Sequence, residues 1–299
     1  MRIPIKTIYE SRLERDHHPL PPLLEKEGEF QYYSMKKNSL FVTIVILCAL
    51  VASYLIYYFI LGNPSHFTDA LKTKPVSGDY LGTAYVGGFI VPWLMTLTIM
   101  VLTFILERFF SLAKAKGTGD LSKFLSGVEN SLNEGNVDGA IELCAKQRGT
   151  VANILRAGLE SFKKVRNENR MESEVKLEEV KRTIEEATSI ETPLLERNLI
   201  GLSTIASIST MVGLLGTVLG MIRAFSAMGA QGAASATELS IGISEALVNT
   251  ALGILSAIIA IIFYNFFTNK VDGFVYTIDE AALNLVEQLD TRFLAKKAA

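Results

Sequence analysis

Four long apolar runs dominate the 299-residue chain and limit what it can fold into. A helix needs about 20 apolar residues to cross the roughly 30 Å hydrocarbon layer of a bilayer. The first two runs and residues 199–222 of the third contain no Asp, Glu, Lys or Arg, and the fourth contains only Glu245. We therefore predict an all-α, polytopic membrane protein with four transmembrane helices, at residues 39–61, 84–106, 199–225 and 239–267.

The distribution of Lys and Arg predicts how these helices are oriented, because cytoplasmic loops carry more of these residues than exported ones. Seven lie in the tail 1–38, fifteen in the segment 107–198 and four in the segment 268–299. The loop 62–83 has two and the loop 226–238 has none. We expect both termini and the long middle segment to be cytoplasmic, and the two poor loops to be periplasmic.

The middle segment, residues 107–198, is predicted to form a cytoplasmic helical domain. Apolar residues recur at helical spacing on either side of a turn at Asn133–Asn136 and a break at Gly149. Mixed charges over 171–191 are typical of a solvated helix, and Pro193 is expected to kink or restart that helix. Residues 268–299 are predicted to form a cytoplasmic C-terminal helix.

Composition excludes several classes of function. A formal net charge of −2 gives no general attraction to nucleic acid, so no nucleic-acid partner is predicted. Two cysteines, Cys48 in an apolar run and Cys144 in a charged region, do not make a disulfide framework. The chain has no nucleotide-binding loop, metal-ligand cluster or triad-like set, so we predict neither an enzyme nor a cofactor or metal site.

The third and fourth spans differ from the first two because each carries polar and small residues along one face. Ionisable groups inside a span are costly and usually face a wet cavity or a partner, which favours a functional role for Glu245. Small residues let helices approach closely, so a tight helix contact is the alternative explanation of the same faces. The candidate ion-pathway residues are Thr217, Thr250, Glu245, Asn249, Thr210, Ser203 and Ser256, and the candidate packing residues are Gly213, Gly216, Gly220, Gly242 and Gly253.

Two stretches of these spans carry a family resemblance, Gly213–Gly220 (GLLGTVLG) and Gly242–Gly253 (GISEALVNTALG). The pair Glu107-Arg108 just after the second span and the stretch Leu195–Ile208 support it. With these motifs in this order, the chain resembles the MotA/TolQ/ExbB family of ion-channel motor subunits. The resemblance covers about 84–270 and fits the ExbB and TolQ branches better than MotA.

The resemblance implies a homopentamer in the inner membrane of a Gram-negative bacterium, built around helices of a single-span ExbD/TolR-like partner. Thr217 and Thr250 match the family's pore-facing threonines, and Glu245 matches its acid in the last span. The partner would supply a membrane aspartate, and the transported ion would be H⁺, with Na⁺ as the alternative. Ion flow would energise a TonB- or TolA-like protein that reaches the outer membrane.

The chain also departs from the family pattern. Thr210 stands where the family often has Pro, Leu219 where it often has Trp, and Asn249 where Ala is common. The usual member has three spans, so 39–61 and the tail before it are additions. The leading hypothesis is a subunit that serves TonB-dependent transport. The alternatives are a TolQ-like role in envelope integrity, a gliding or flagellar-type stator, and a non-conducting membrane scaffold.

Overall fold

The computed structural model describes residues 42–166, 168, 172–231 and 236–298, so the predicted tail 1–38 lies outside the described residues. The chain divides into two compact units, 1–51 and 52–299. The described residues are almost entirely helical and contain no strand, apart from one isolated antiparallel bridge between Phe67 and Pro75. The prediction of an all-α protein is therefore confirmed.

Nine helices longer than three residues lie in the described ranges. They are α1 (Val42–Leu61, with Ile56–Leu61 wound as a π-helix), α2 (Tyr80–Val86), α3 (Val91–Lys116), α4 (Leu121–Asn133), α5 (Val137–Gln147), α6 (Thr150–Arg166), α7 (Ser173–Glu196), α8 (Leu199–Gln231) and α9 (Ala236–Ala298). Four helical stretches, containing α1, α3, α8 and α9, are long and apolar enough to cross a membrane, which confirms the prediction of four spans.

Short polar side chains begin several of these helices. Asp120 accepts hydrogen bonds from the first free amides of α4, and Asn136 accepts one from the Gly139 amide of α5 at 2.8 Å. The turn between α4 and α5 thus falls at the predicted position. Gly149 separates α5 from α6 at a φ of +88°, and a Cβ there would lie 2.5 Å from the Ala115 carbonyl oxygen. Only glycine fits such a position.

Helices α4 to α7 form a helical domain with its own apolar core, and the far part of α9 packs against α6 and α7. The core side chains are buried on one face of each helix, as the helical period requires. They include Phe124, Val128, Leu132, Ala140, Cys144, Ile154, Leu159, Phe162, Val180, Ile184, Ile278 and Leu285. Burial in this core raises the pKa of the Cys144 thiol to about 12, as expected of an inert structural cysteine.

Pro193 is expected to kink or restart the helix, and the structure shows no restart there. Helix α7 continues through Pro193 to Glu196, and the chain turns at Asn198, whose φ is +63°. Proline so near a helix end removes one backbone hydrogen bond without preventing the last turn. Asparagine tolerates the left-handed conformation, and the Asn198 side chain donates to Glu107 Oε2 at 3.1 Å, which holds the turn against the end of α3.

Span four and the predicted C-terminal helix are one continuous helix. Helix α9 runs 63 residues from Ala236 to Ala298, about 95 Å at 1.5 Å per residue. No proline interrupts it. One face packs on α8 and α3 in its first half and on the helical domain in its second half. Helix α9 therefore belongs both to the membrane-spanning helices and to the helical domain.

Candidate functional site

Helices α8 and α9 approach each other closely along a line of glycines. A Cβ on Gly253 would lie 2.7 Å from the Ser209 carbonyl oxygen and 2.8 Å from Gly213 Cα. A Cβ on Gly220 would lie 2.8 Å from the Gly242 carbonyl oxygen. Gly216 lies against the side chain of Asn249 in the same way. The five glycines singled out from the sequence thus all lie at this contact, and at each of them except Gly213 an added Cβ would lie closer than 3.0 Å to a neighbouring atom.

Two threonine hydroxyls meet between the glycines. Thr217 Oγ1 of α8 and Thr250 Oγ1 of α9 hydrogen-bond to each other, and both side chains are half-buried. Each oxygen also lies 3.4 Å from the Gly213 carbonyl oxygen, and Thr217 Oγ1 lies 3.4 Å from the Ala246 carbonyl oxygen. A hydroxyl is both donor and acceptor. The pair therefore has more acceptors than protons and can exchange partners without leaving an unmade bond.

Glu245 lies further toward the start of α9 and is buried, with 2% of its side chain exposed. Its Oε2 accepts a hydrogen bond from Arg223 Nη1 of α8 at 2.5 Å, whereas 56% of the Arg223 side chain is exposed. Sequence reasoning missed this pairing. The available signal was that Arg223 is the only Lys or Arg in α8 and lies six residues after Thr217.

The turn between α2 and α3 also contacts these polar residues, beside helices α8 and α9. Asn249 is fully buried, and its Nδ2 donates to the Gly87 carbonyl oxygen at 2.9 Å. Gly88, with a φ of +73°, lies beside Glu245, since a Cβ there would come within 2.6 Å of Glu245 Oε1. No described residue supplies a partner to Asn249 Oδ1. Gly87 and Gly88 were not predicted as site residues, although paired glycines are a clear turn signal.

Ser256 continues the polar residues along α9 in the opposite direction. It is buried, and its hydroxyl hydrogen-bonds to Thr98 of α3. The polar side chains along the first half of α9 and their partner on α8 form one set, which we call the polar column. Its members are Glu245, Asn249, Thr217, Thr250 and Ser256. From Glu245 to Ser256 it extends about 17 Å along α9, at 1.5 Å per residue.

Two predicted ion-pathway residues lie apart from the polar column. Ser203 is exposed near the start of α8, and Thr210 Oγ1 donates to the Ala206 carbonyl oxygen of its own helix at 3.2 Å. Along the axis of α8, Thr210 lies about 10 Å and Ser203 about 21 Å from Thr217, at 1.5 Å per residue, so neither reaches the threonine pair. The structure does not bring them together with Thr250 or Glu245.

The other end of α3 is tied to the start of α8 by a buried arginine. Arg108 is 1% exposed, forms an ion pair with Glu107 at 2.7 Å and donates from Nη1 to the Leu195 carbonyl oxygen at 3.1 Å. Asn198 donates to the same Glu107 carboxylate. A buried charge needs such partners, since an unpaired one is strongly destabilising. This cluster therefore fixes the start of α8 against the end of α3.

The polar column can bind and pass a small hydrogen-bonding species. Hydroxyls, an amide and one carboxylate offer donors and acceptors inside an otherwise apolar helix pair, which is typical of ion and proton pathways. Glu245 is the only ionisable member of the column, and Arg223 is its counter-ion. No group of three His, Cys, Asp or Glu side chains that would hold a metal occurs among the described residues.

We expect Gly253→Ala to destabilise the protein, because its methyl group would collide with the α8 backbone, which cannot rotate away as a side chain can. Gly273→Ala is the matched control on the same helix, since a Cβ there meets nothing within 4 Å. The control should gain up to about 1 kcal/mol from helix propensity. Thermal unfolding in detergent, followed by circular dichroism, measures both. Equal midpoints for the two variants would contradict the close contact.

Fold and site together define a multi-pass helical membrane protein with a polar column between two closely packed spans. Residues 146–280 match the model of the MotA/TolQ/ExbB proton channel family. This segment contains α8, the polar column and most of α9. The recognition drawn from the two sequence motifs is confirmed.

Individual relatives carry two different names. The chain is 45% identical over 91 residues to an ExbB-like biopolymer transport protein of Synechocystis, covering 30% of this chain and 43% of that protein. It is 37% identical over 120 residues to the Tol-Pal system protein TolQ of Pseudomonas aeruginosa, covering 40% and 52%. It is 43% identical over 77 residues to the biopolymer transport protein ExbB of Aquifex aeolicus, covering 26% and 52%. The chain thus spans about half the length of these curated relatives. Its four candidate spans make it a multi-pass membrane protein.

Proposed function

We propose that this chain is the channel-forming subunit of an inner-membrane motor driven by the proton motive force. The observation that carries the proposal is the Thr217–Thr250 hydroxyl pair, which lies between two glycine-packed spans inside the family segment. Hydroxyls held at the contact of two apolar helices offer a hydrogen-bonding path where the surroundings offer none. The transported ion is H⁺, with Na⁺ as the alternative, and no cofactor takes part.

The motor would be a homopentamer that surrounds helices of a single-span ExbD/TolR-like partner. The acid of the polar column is engaged by Arg223, so a carboxylate that loads and releases protons would come from that partner. Wide apolar faces of α8 and α9 are exposed and suit contact with further helices and lipid. They include Leu214, Leu215, Val218, Leu247, Ile254 and Leu255. The Lys and Arg distribution supports cytoplasmic termini.

The work performed would be transport across the outer membrane through a TonB-like protein. A Tol-Pal role through a TolA-like protein is the second candidate, and the relatives named TolQ favour it. A gliding or flagellar-type stator is a third member of the same class. In each case, ion flow would move the inner helices of the partner against the polar column.

The proposal is tested by reconstituting the chain with its single-span partner in vesicles and recording proton flux with a pH-sensitive dye under an imposed potential. We expect flux that needs both proteins and continues when sodium is replaced by potassium. Flux that stops without sodium would reassign the ion. The absence of any flux, with the complex assembled, would favour the non-conducting scaffold. Deletion strains then separate the two systems, because iron-limited growth reports TonB-dependent uptake and detergent sensitivity reports a Tol defect.

A further inference from the structure

The additional first span ends beside the turn that holds Asn249, and Tyr57 and Leu61 near its end are buried. Tyr57 is 7% exposed, and its ring stacks on Tyr85 with centroids 4.6 Å apart and an interplanar angle of 17°. The Tyr57 hydroxyl donates to the Tyr85 carbonyl oxygen at 3.1 Å. One turn earlier, the Ser53 and Thr96 hydroxyls hydrogen-bond at 2.7 Å in a buried contact with α3.

The loop after α1 closes around the same tyrosine. Phe67 meets the Tyr85 ring edge-on at 5.3 Å, and Lys72 Nζ lies 5.7 Å from its centroid while donating to the Gly62 carbonyl oxygen at 2.6 Å. Asp79 caps the helix α2 that carries Tyr85. A hydrogen bond with His66, at 2.6 Å, lowers the pKa of Asp79 and keeps this cap charged. Tyr85 is therefore fixed from several sides.

Tyr85 in turn fixes the backbone of residues 87 and 88, which contacts Asn249 and Glu245 of the polar column. Two residues after it, the Gly87 carbonyl oxygen accepts from Asn249 Nδ2, and the next residue, Gly88, lies against Glu245. Asn249 is fully buried, and among the described residues this is the hydrogen bond that orients its amide. A shift of the turn would therefore rotate Asn249 or leave a second buried polar atom without a partner, which is costly.

We propose that Tyr57 is a positioning residue for the polar column: it holds the Tyr85–Gly88 turn, and the turn orients Asn249. The proposal rests on the function proposed above, because it makes the extra span a working part of the ion path. It gives the first span a role that a mere membrane anchor would not have. Tyr57 is argued to act through this turn and the Gly87 carbonyl oxygen.

The test compares Tyr57→Phe with Tyr58→Phe in the full complex. The first variant keeps the stacked ring and loses the hydrogen bond, whereas the second removes a hydroxyl from the neighbouring, exposed ring. We expect about a fivefold loss of proton flux for Tyr57→Phe, the equivalent of one net hydrogen bond. Tyr58→Phe should leave the flux unchanged. Equal flux in the two variants would overturn the proposal.

A double-mutant cycle separates positioning from general stability. In an Asn249→Ala background, Tyr57→Phe should cause no further loss, because the side chain through which it acts is gone. The same fivefold loss in that background would show that Tyr57 acts on folding or assembly instead, and would also overturn the proposal.

Amide hydrogen exchange tests the positioning role of Tyr57 independently of whether the complex conducts protons. Amides of residues 84–90 should exchange faster in Tyr57→Phe than in Tyr58→Phe or the unaltered chain. This readout needs no ion flow. If the unaltered complex does not conduct, the motor proposal fails, while the exchange rates still decide whether Tyr57 holds the turn. Unchanged exchange at 84–90 would end the positioning proposal.

Discussion

Replacing Thr217 and Thr250 together by valine is expected to lower proton flux at least tenfold while the complex still assembles. The two hydroxyls are each other's partners, so removing both leaves no orphaned donor or acceptor at the helix contact. Valine has nearly the shape of threonine, and the glycine contacts on either side are untouched. The double variant therefore loses the hydrogen-bonding path between the helices but keeps their packing.

A single substitution makes a useful comparison with the double variant. Thr217→Val leaves the Thr250 hydroxyl next to the Gly213 carbonyl oxygen, 3.4 Å away, which can accept its hydrogen bond. We expect the single variant to retain part of the flux. Thr210→Val is the matched control, since Thr210 bonds only to the carbonyl of its own helix among the described contacts. A double variant that conducts like this control would refute the assigned path.

The second large effect concerns the ion pair of Glu245 and Arg223, whose two ends are not equivalent. Arg223→Gln leaves a buried carboxylate without its counter-ion, whereas Glu245→Gln leaves a cation that is already 56% exposed. We expect Arg223→Gln to reduce the free energy of unfolding by about 2 kcal/mol more than Glu245→Gln does. This is less than the ~3–5 kcal/mol of a fully buried pair, because water partly screens Arg223.

The double variant Arg223→Gln/Glu245→Gln should recover most of that loss, because it removes the buried charge together with its partner. Unfolding of the detergent-solubilised complex by sodium dodecyl sulfate, followed by circular dichroism, compares the three variants with the unaltered chain. Equal losses for the two single variants would mean that the carboxylate has another source of stabilisation and that the pair is not the main one.

The spacing of apolar residues and the distribution of charged residues along the sequence predict most of the helical architecture. Absence of charge located the spans, and small residues at helical spacing marked the faces through which α8 and α9 pack, including Gly213 and Gly253. These properties are local, since a helix repeats every 3.6 residues whatever surrounds it. Thr217 and Thr250 lie on such faces, so both were predicted as ion-pathway candidates, whereas the contact between their hydroxyls comes from the structure.

Pairings across distant segments could not be obtained in this way. Which backbone carbonyl meets Asn249 depends on how the α2–α3 turn is placed, and that placement depends on Tyr57 and Tyr85, more than 160 residues away in sequence from Asn249. Similarly, a heptad pattern on one helix does not reveal where its neighbour lies, and Ser203 is exposed although Thr217 is not. Such contacts are properties of the assembled helices and not of any single one.

The unbroken helix α9 has a mechanical consequence. From the level of Thr250 to its end, the rod is about 70 Å long at 1.5 Å per residue, so a tilt of about 5° displaces the far end by about 6 Å. A small rearrangement around the hydroxyl pair would therefore be magnified, as by a lever, into a movement that the helical domain must follow. The same leverage acts in reverse, so a load applied to the domain would be felt at Thr250.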